Sequence, residues 1–423
     1  MRKLAIGICV LAVGCALGAA SAEKVSLTYW QYQYDSKVAE VNSLITAFEK
    51  ANPDITIKQE NFPYDSYISK VTSAVAAGQG PDVVNLYYGW LPQFTSGGYL
   101  QPLPPETFPA KQLEADIGPL ITSSKFQGKY WAVPTAVRTL AVFYNKDLFK
   151  AAGITHTPKT WDELVADGSK IQKVNNGRVQ VAGIALQPNG QDHHLFREVL
   201  TRQWGGKPYT TNFKAITYNS PAGLEAFKYY TSWISLGAAT SGDDLFPGSG
   251  NPYRDAFIAG RAGMIFDGSF AIATIRSSAK FNWGTFELPT KTPGGLRSNF
   301  ASYWVNGITR GATGAKLDAS VKFLKFMTSE ATQRDWLKNV GEIPASTKLA
   351  SDPVIRKDPV YGPFVAALPY AHATFFADEA GQRKAVVDAM NSVWLTKTDP
   401  AKALTSAAAI EQKALDVYFK SNK

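Results

Sequence analysis

Aromatic rings beside amides and carboxylates recur along this chain: Trp30-Gln31-Tyr32-Gln33-Tyr34-Asp35, Tyr87-Tyr88-Gly89-Trp90, Asp267-Gly268 with Phe270, and Tyr303-Trp304-Val305-Asn306-Gly307. A sugar ring has an apolar C–H face and a rim of hydroxyls, so a protein holding one needs aromatic faces with polar groups at their edges. Aromatic residues make up 12% of the sequence, with 10 Trp and 19 Tyr, more than a core alone requires. Trp304 is read as the main stacking residue, with Tyr303 beside it, and its loss is expected to leave the unliganded melting temperature nearly unchanged. Gln31, Tyr32, Tyr34 and Asp35 directly follow a first strand, where α/β sheets gather their binding loops. Tyr88 and Trp90 are further platforms, or else core rings under the following helix.

Other chemistries are less well served. The adjacent tyrosines suggest phenolate ligation of ferric iron, but no histidine or carboxylate accompanies them. His193 and His194 would point in different directions on a helix or a strand, which disfavours a metal site. No metal or cofactor is therefore expected. Asp35 and Asp267 could face each other as a glycosidase carboxylate pair. No serine elbow, metal motif or phosphate loop is present, and no enzymatic activity is expected. The 44 Lys and Arg exceed the 35 Asp and Glu, for a net charge of +9, without forming a run. Nucleic acid is thus a poor partner.

These residues need elements to hold them. Val25–Trp30 has strand composition, and Val38–Ala51 spaces Val41, Leu44, Ile45 and Phe48 as a helix stopped by Asn52-Pro53. Ile55–Ile57, Tyr64–Ala77 and Asp82–Leu86 continue as strand, helix and strand, the pattern of a parallel sheet with right-handed crossovers. Tyr130–Pro134 and Leu140–Tyr144 read as two further strands. Asp147–Ala152 follows as a short helix, with Asn145 as a turn residue. Thr160 and Glu163 form a capping box opening a helix through Ile171. Strands and helices alternate to Pro289, and helices are expected near Ala319–Met327, Glu330–Asn339 and Arg383–Leu395.

The first 22 residues read as a cleaved signal peptide. Met1-Arg2-Lys3 is basic, Leu4–Leu17 is apolar, and Ala20-Ser21-Ala22 is a peptidase site. Lipidation at Cys15 is the alternative. Cleavage would remove both cysteines, Cys9 and Cys15, and leave 42 basic against 35 acidic residues, +7. A mature chain without thiols needs no disulfides.

The chain resembles the extracellular solute-binding proteins of carbohydrate ABC importers, the maltose-binding-protein-like family. The resemblance lies in Gly78–Val84, Gly128–Pro134, Val142–Phe149, Thr157–Leu164, Ala256–Met264 and Ala319–Thr328, in the family's order. It implies an α/β fold: a two-lobed periplasmic-binding-protein clamp, each lobe a mainly parallel sheet flanked by helices, with a helical C-terminal region. Lobe 1 would comprise 23–135 and 290–345, and lobe 2 136–289 and 346–423. It implies a monomeric periplasmic protein that binds a sugar or oligosaccharide between the lobes and delivers it to an inner-membrane permease.

The resemblance also places Arg138 at the lobe crossover, where maltose-type relatives tend to be acidic, so maltose is not the expected ligand. Arg138 would grip hydroxyls, or pair with a carboxylate across the lobes. Asp267, with Phe270 one turn on, would hold hydroxyls or cap the next helix. Gln187, Asn189, His193 and His194 would complete the second wall. Phe375, Phe376 and His372 stand further out. The alternative is the same clamp holding an anionic ligand such as glycerol phosphate, a phosphodiester or a sugar acid, for which Arg383 would matter more.

Overall fold

The computed structural model describes residues 24–422, so the proposed signal peptide and both cysteines lie outside the described residues. Periodicity accounts for the first elements. Val25–Tyr32 and Ile55–Phe62 pair in parallel from Val25↔Ile55 to Tyr32↔Phe62. The helix Asp35–Ala51 between them buries Val41, Leu44, Ile45 and Phe48, the predicted face. Removing each such side chain from water is worth about 1.5–3 kcal/mol. Asn52 ends this helix, its N–H donating to Phe48 O. Val83–Tyr87 pairs in parallel with the first strand on its other edge.

Beyond these strands the sheet is mixed. Its order is Ile55–Phe62, Val25–Tyr32, Val83–Tyr87, Asn299–Ile308, Ala132–Asn145, Ala262–Gly268, Arg178–Leu186 and Lys173–Asn175. Pairing is antiparallel around Asn299–Ile308 and Ala132–Asn145, and parallel again between Ala262–Gly268 and Arg178–Leu186. The two strands expected at Tyr130–Pro134 and Leu140–Tyr144 are largely one element of 14 residues, Ala132–Asn145, preceded by the short hairpin strand Lys129–Tyr130. Its first half pairs with Asn299–Ile308, from Gly307↔Ala132 to Ala301↔Thr139, and its second half with Ala262–Gly268, from Gly268↔Leu140 to Met264↔Tyr144. A single strand thus carries the sheet from one lobe into the other. Thr135 to Thr139, in its middle, has too few apolar residues for periodicity to mark it as strand. The buried Asn299 amide fixes the junction, donating to Leu140 O and accepting from Leu140 N, both at 2.9 Å.

Helices cover both faces. The capping box forms as expected, Thr160 Oγ1 accepting from Glu163 N and the Glu163 carboxylate from Thr160 N. Asn145 caps the helix Lys146–Ala151 through Asp147 N and Leu148 N. Two long helices, Glu379–Leu395 and Pro400–Ser421, pack on each other and against Pro221–Ser232. The second was not singled out from the sequence, because its alanine-rich face gives weak contrast between buried and exposed positions. No helix among the described residues is long and apolar enough to cross a membrane.

Candidate ligand-binding cleft

A cavity of about 350 Å³ opens where the strand ends of the two lobes meet. Tyr32 and Tyr34 enter it from the end of the first strand, and Tyr87 from the end of Val83–Tyr87. Trp304 lies opposite Tyr87 in the antiparallel ladder, and the register slips between Trp304 and Val305. Such a bulge re-aims a side chain. The indole lies flat on Tyr32, with centroids 4.0 Å apart and planes at 22°, and stands edge-on to Trp90 at 5.4 Å. Tyr64, from the first turn of Tyr64–Ala76, closes the group.

Trp304 is only 7% exposed, so it is part of a packed aromatic wall and not a free platform. This corrects the expectation that its loss would spare the unliganded protein.

The opposite wall comes from the second lobe. The carboxyl end of Arg178–Leu186 leads into Pro188–Asp192, whose Asn189, Gly190 and Gln191 line the cavity with His193 and His194. His194 lies 3.6 Å from the Phe300 ring, nearly parallel to it. Burial pushes both histidines well below their usual pKa, and the Arg197 charge adds to this. Both imidazoles are therefore neutral at pH 7.

Three arginines reach the cavity, each tied to a buried carboxylate. Arg138 bonds Glu342 through Nε and donates from Nη2 to Tyr32 Oη at 3.3 Å. Arg254 donates from Nε to Asp267 at 2.8 Å and from Nη2 to Tyr253 Oη at 3.2 Å. Arg383 lies 3.3 Å from Glu379 on the same helix. Phe270 is held between two of them, its ring 4.6 Å from the Arg138 guanidinium and 5.3 Å from that of Arg254. Glu342 also sits 3.1 Å from Lys37, which lies under Tyr32 and Trp304. Burial opposes ionisation of Glu342, but the Arg138 and Lys37 charges outweigh it and hold the carboxyl at about 2. Burial, aided by Arg138, brings Lys37 down to about 7.

Among the residues named from sequence, Tyr32, Tyr34, Arg138, Phe270 and Trp304 meet at this cavity, as do the second-rank Asn189, His193, His194 and Arg383. Seven others lie elsewhere, as do the more distant His372, Phe375 and Phe376. Gln31 points to the other face of its strand, bonding Gln59, and Gln33 takes its place at the cavity. Asp35 is exposed and accepts from Gln33. Tyr88 lies outside the cavity, its ring 4.8 Å from that of Tyr87 and stacked on Tyr303, which is itself fully buried and donates to Leu120 O. Trp90 backs the wall from behind, and Gln187 lies at the base of the loop that presents Asn189.

Asp267 is fully buried, bonded to Arg254 and to Gly268 N; it neither lines the cavity nor caps a helix. Asp35 and Asp267 therefore do not face each other across the cavity. Glu379 is the one carboxylate among the described lining residues.

Sequence reasoning passed over Gln33, Tyr64, Tyr87, Asn251, Tyr253, Arg254, Phe300, Ser302 and Glu379. A signal existed for Arg254. A carboxylate closing an apolar strand, as Asp267 does, needs a buried cation, and Arg254 precedes it in the helix Pro252–Ile258.

With this geometry in view, the profile of bacterial extracellular solute-binding proteins matches residues 34–334. A maltotriose-binding protein of Pyrococcus abyssi is 26% identical over 351 residues, 81% of this chain and 71% of that protein. A Listeria monocytogenes ABC substrate-binding protein in complex with cycloalternan superposes with a TM-score of 0.79 at 22% identity, covering 93% of this chain and 99% of that one. UgpB of Mycobacterium tuberculosis, in complex with glycerophosphocholine, gives 0.78 at 22% identity, covering 93% and 98%.

Proposed function

We propose that this chain, which belongs to the bacterial extracellular solute-binding proteins, is the periplasmic carrier of an ABC importer and closes on a neutral sugar or short oligosaccharide. The observation that carries the reading is the pairing of every cavity arginine with a buried carboxylate. A guanidinium has five N–H donors, and a carboxylate partner takes only some of them. Those left over belong to guanidiniums whose charge is already neutralised, which suits hydroxyls better than phosphate. The Tyr32–Trp304 wall supplies the apolar face. The relative named for maltotriose and the neighbour crystallised with cycloalternan agree with this chemistry.

Residues 23–135 with 290–345, and 136–289 with 346–423, would be the two lobes, moving about the strands that cross between them. Ligand contacts from both lobes would favour the closed form, which an inner-membrane permease then reads. The carrier would act as a monomer and leave its ligand unchanged, since a glycosidase needs two carboxylates at the scissile bond and Glu379 is the one carboxylate among the described lining residues.

A second reading has its own support. Three guanidiniums converge on the cavity, and the neighbour with glycerophosphocholine shares the fold. The deciding experiment is a thermal-shift panel on the purified protein with neutral sugars, sugar acids and glycerol phosphates. A bound ligand at a hundredfold excess over Kd stabilises by about 2.7 kcal/mol. Shifts with neutral sugars alone are expected. Shifts with phosphates or acids alone would transfer the clamp to an anionic ligand, and cleavage of an oligosaccharide would refute both readings.

A further inference from the structure

The loop that leaves the strand Arg178–Leu186 brings Asn189, Gly190 and Gln191 to the cavity, through a turn of π-helix that begins at Pro188. Such turns are rare and recur at functional sites. Neither the Asn189 nor the Gln191 side chain has a hydrogen-bond partner among the described residues, so the backbone of the loop aims them. One side chain braces that backbone. Asp192 Oδ2 accepts from Gln187 N at 2.6 Å, which closes the loop, and from Tyr230 Oη at 2.8 Å, which anchors it to the helix Pro221–Ser232. Gly190 N donates to Gln187 O at 2.7 Å. A Cβ on Gly190 would come within 3.1 Å of the Gln187 side chain and 3.2 Å of the Tyr253 ring, so the loop has little room for another path.

Asp192 differs from the other carboxylates around the cavity. Glu342, Asp267 and Glu379 are each paired with an arginine. Asp192, 3% exposed, has the amide and the phenol but no cation among the described residues. The guanidiniums packed about it are engaged elsewhere: Arg254 with Asp267, Arg383 with Glu379, and Arg197, five residues along, with Glu411. His193 and His194 are neutral, and burial holds the Tyr230 and Tyr253 phenols well above their usual values. Burial pushes the Asp192 carboxyl up to about 7; the bonds from Tyr230 and Gln187 N pull it down, and the Asp267 charge adds to the rise. When ionised, the carboxylate holds both donors by charge-assisted bonds, roughly twice as strong as those a neutral acid accepts.

We infer that Asp192 is a positioning residue for ligand recognition: as a carboxylate it fixes the loop that aims Asn189 and Gln191 into the cleft, and taking up a proton loosens that loop and weakens binding. The inference rests on the proposed sugar-binding reading, and its test separates the two. Neutral sugars suit the test because they do not titrate themselves. Maltotriose, cellobiose and xylobiose are titrated calorimetrically, in steps from about pH 8.5 to about 5.5, into the wild type, Asp192→Asn, Tyr230→Phe and Lys37→Met. For a sugar that binds, the wild type should lose about three- to tenfold in affinity over this range. Asp192→Asn should bind at the weaker level throughout. Tyr230→Phe removes a donor that favours the carboxylate, so the midpoint of its profile should move up. Lys37, whose pKa is also about 7, is the rival source, and Lys37→Met should keep the wild-type ratio between the two ends of the range.

A slope that persists in Asp192→Asn or vanishes in Lys37→Met would overturn the inference, as would an unmoved midpoint in Tyr230→Phe. If no sugar binds, the carbohydrate reading falls on its own, and Asp192 is read in two other ways. A carboxyl whose folded pKa is raised supports the folded state below its unfolded value, and that support fades as pH rises through the folded one. The melting temperature of Asp192→Asn should therefore gain on that of the wild type between about pH 4 and 7. With glycerol phosphate as ligand at about pH 8.5, the variant should bind about three- to tenfold more weakly. A constant difference in melting temperature, or equal affinity for glycerol phosphate, would overturn the inference in that case.

Discussion

Replacing Trp304 by alanine tests whether the aromatic wall is assembled before ligand arrives. The indole is 7% exposed, lies 4.0 Å from the Tyr32 ring and 5.4 Å from Trp90, and carries the Lys37 ammonium 5.4 Å from its centroid. Truncating a buried Trp to Ala costs about 3–5 kcal/mol, because the neighbours relax only in part around the space left. For a chain of this length about 1 kcal/mol moves the melting temperature by roughly 1 °C. The unliganded variant should therefore melt about 3–6 °C below wild type and lose the ligand-induced shift. Trp304→Phe, which keeps a ring on Tyr32, should recover more than half of both. Differential scanning calorimetry with and without ligand reads the two effects separately. An unliganded melting temperature within about 1 °C of wild type would refute the packed wall and restore the picture of a free platform.

Asp267→Asn should leave the Arg254 charge buried and unpaired, costing about 3–5 kcal/mol. Combined with Arg254→Met it should regain most of that stability but not ligand binding, as a double-mutant cycle by denaturant melts and calorimetry would show. Stability should also rise with pH above neutrality. Lys37 binds its proton with a pKa of about 7 when folded against 10.5 unfolded, so between these values the unfolded chain holds more protons. Raising the pH through this window favours the folded state, and Lys37→Met should flatten the dependence of melting temperature between about pH 7 and 9.5. An identical slope in the variant would show that Lys37 does not carry it.

Much of the architecture could be read from the chain because its early helices and strands bury the residues their periodicity marks. The Asp35–Ala51 face is a direct case. The site was only partly legible. Tyr32 and Tyr34 stand at a strand end, which segment composition can locate, whereas Trp304 lies inside Asn299–Ile308 beside a bulge. Which of two neighbours faces the cavity depends on the pleat and on bulges. Gln31 and Tyr32 are adjacent, and the two point to opposite faces. Tyr87 ends a strand and Tyr88 opens a short helix, and only the first lines the cavity. Tyr303 and Trp304 are adjacent, and only the second reaches the cavity. Asp267 misled for a different reason. Its carboxylate acts on the cleft through Arg254, and a strand-end carboxylate reads the same whether its partner is a ligand or a buried cation 13 residues earlier.

The ion pairs around the cavity are better understood as positioning devices than as a source of stability. A buried pair barely recovers the cost of taking its charges out of water, and apolar replacements often fold better. Here three such pairs surround one cavity, and each fixes a guanidinium that would otherwise sweep a wide arc on a flexible stem. Arg138 is held by Glu342, by the Tyr32 hydroxyl and by the face of Phe270. Arg254 is held by Asp267, by the Tyr253 hydroxyl and by the same ring. Donors fixed in this way lose little further freedom when a ligand arrives, so more of each hydrogen bond appears as affinity. The same arrangement sets selectivity. A hydroxyl needs only the N–H groups left free, whereas a phosphate would need the guanidinium charge that Glu342, Asp267 and Glu379 already offset.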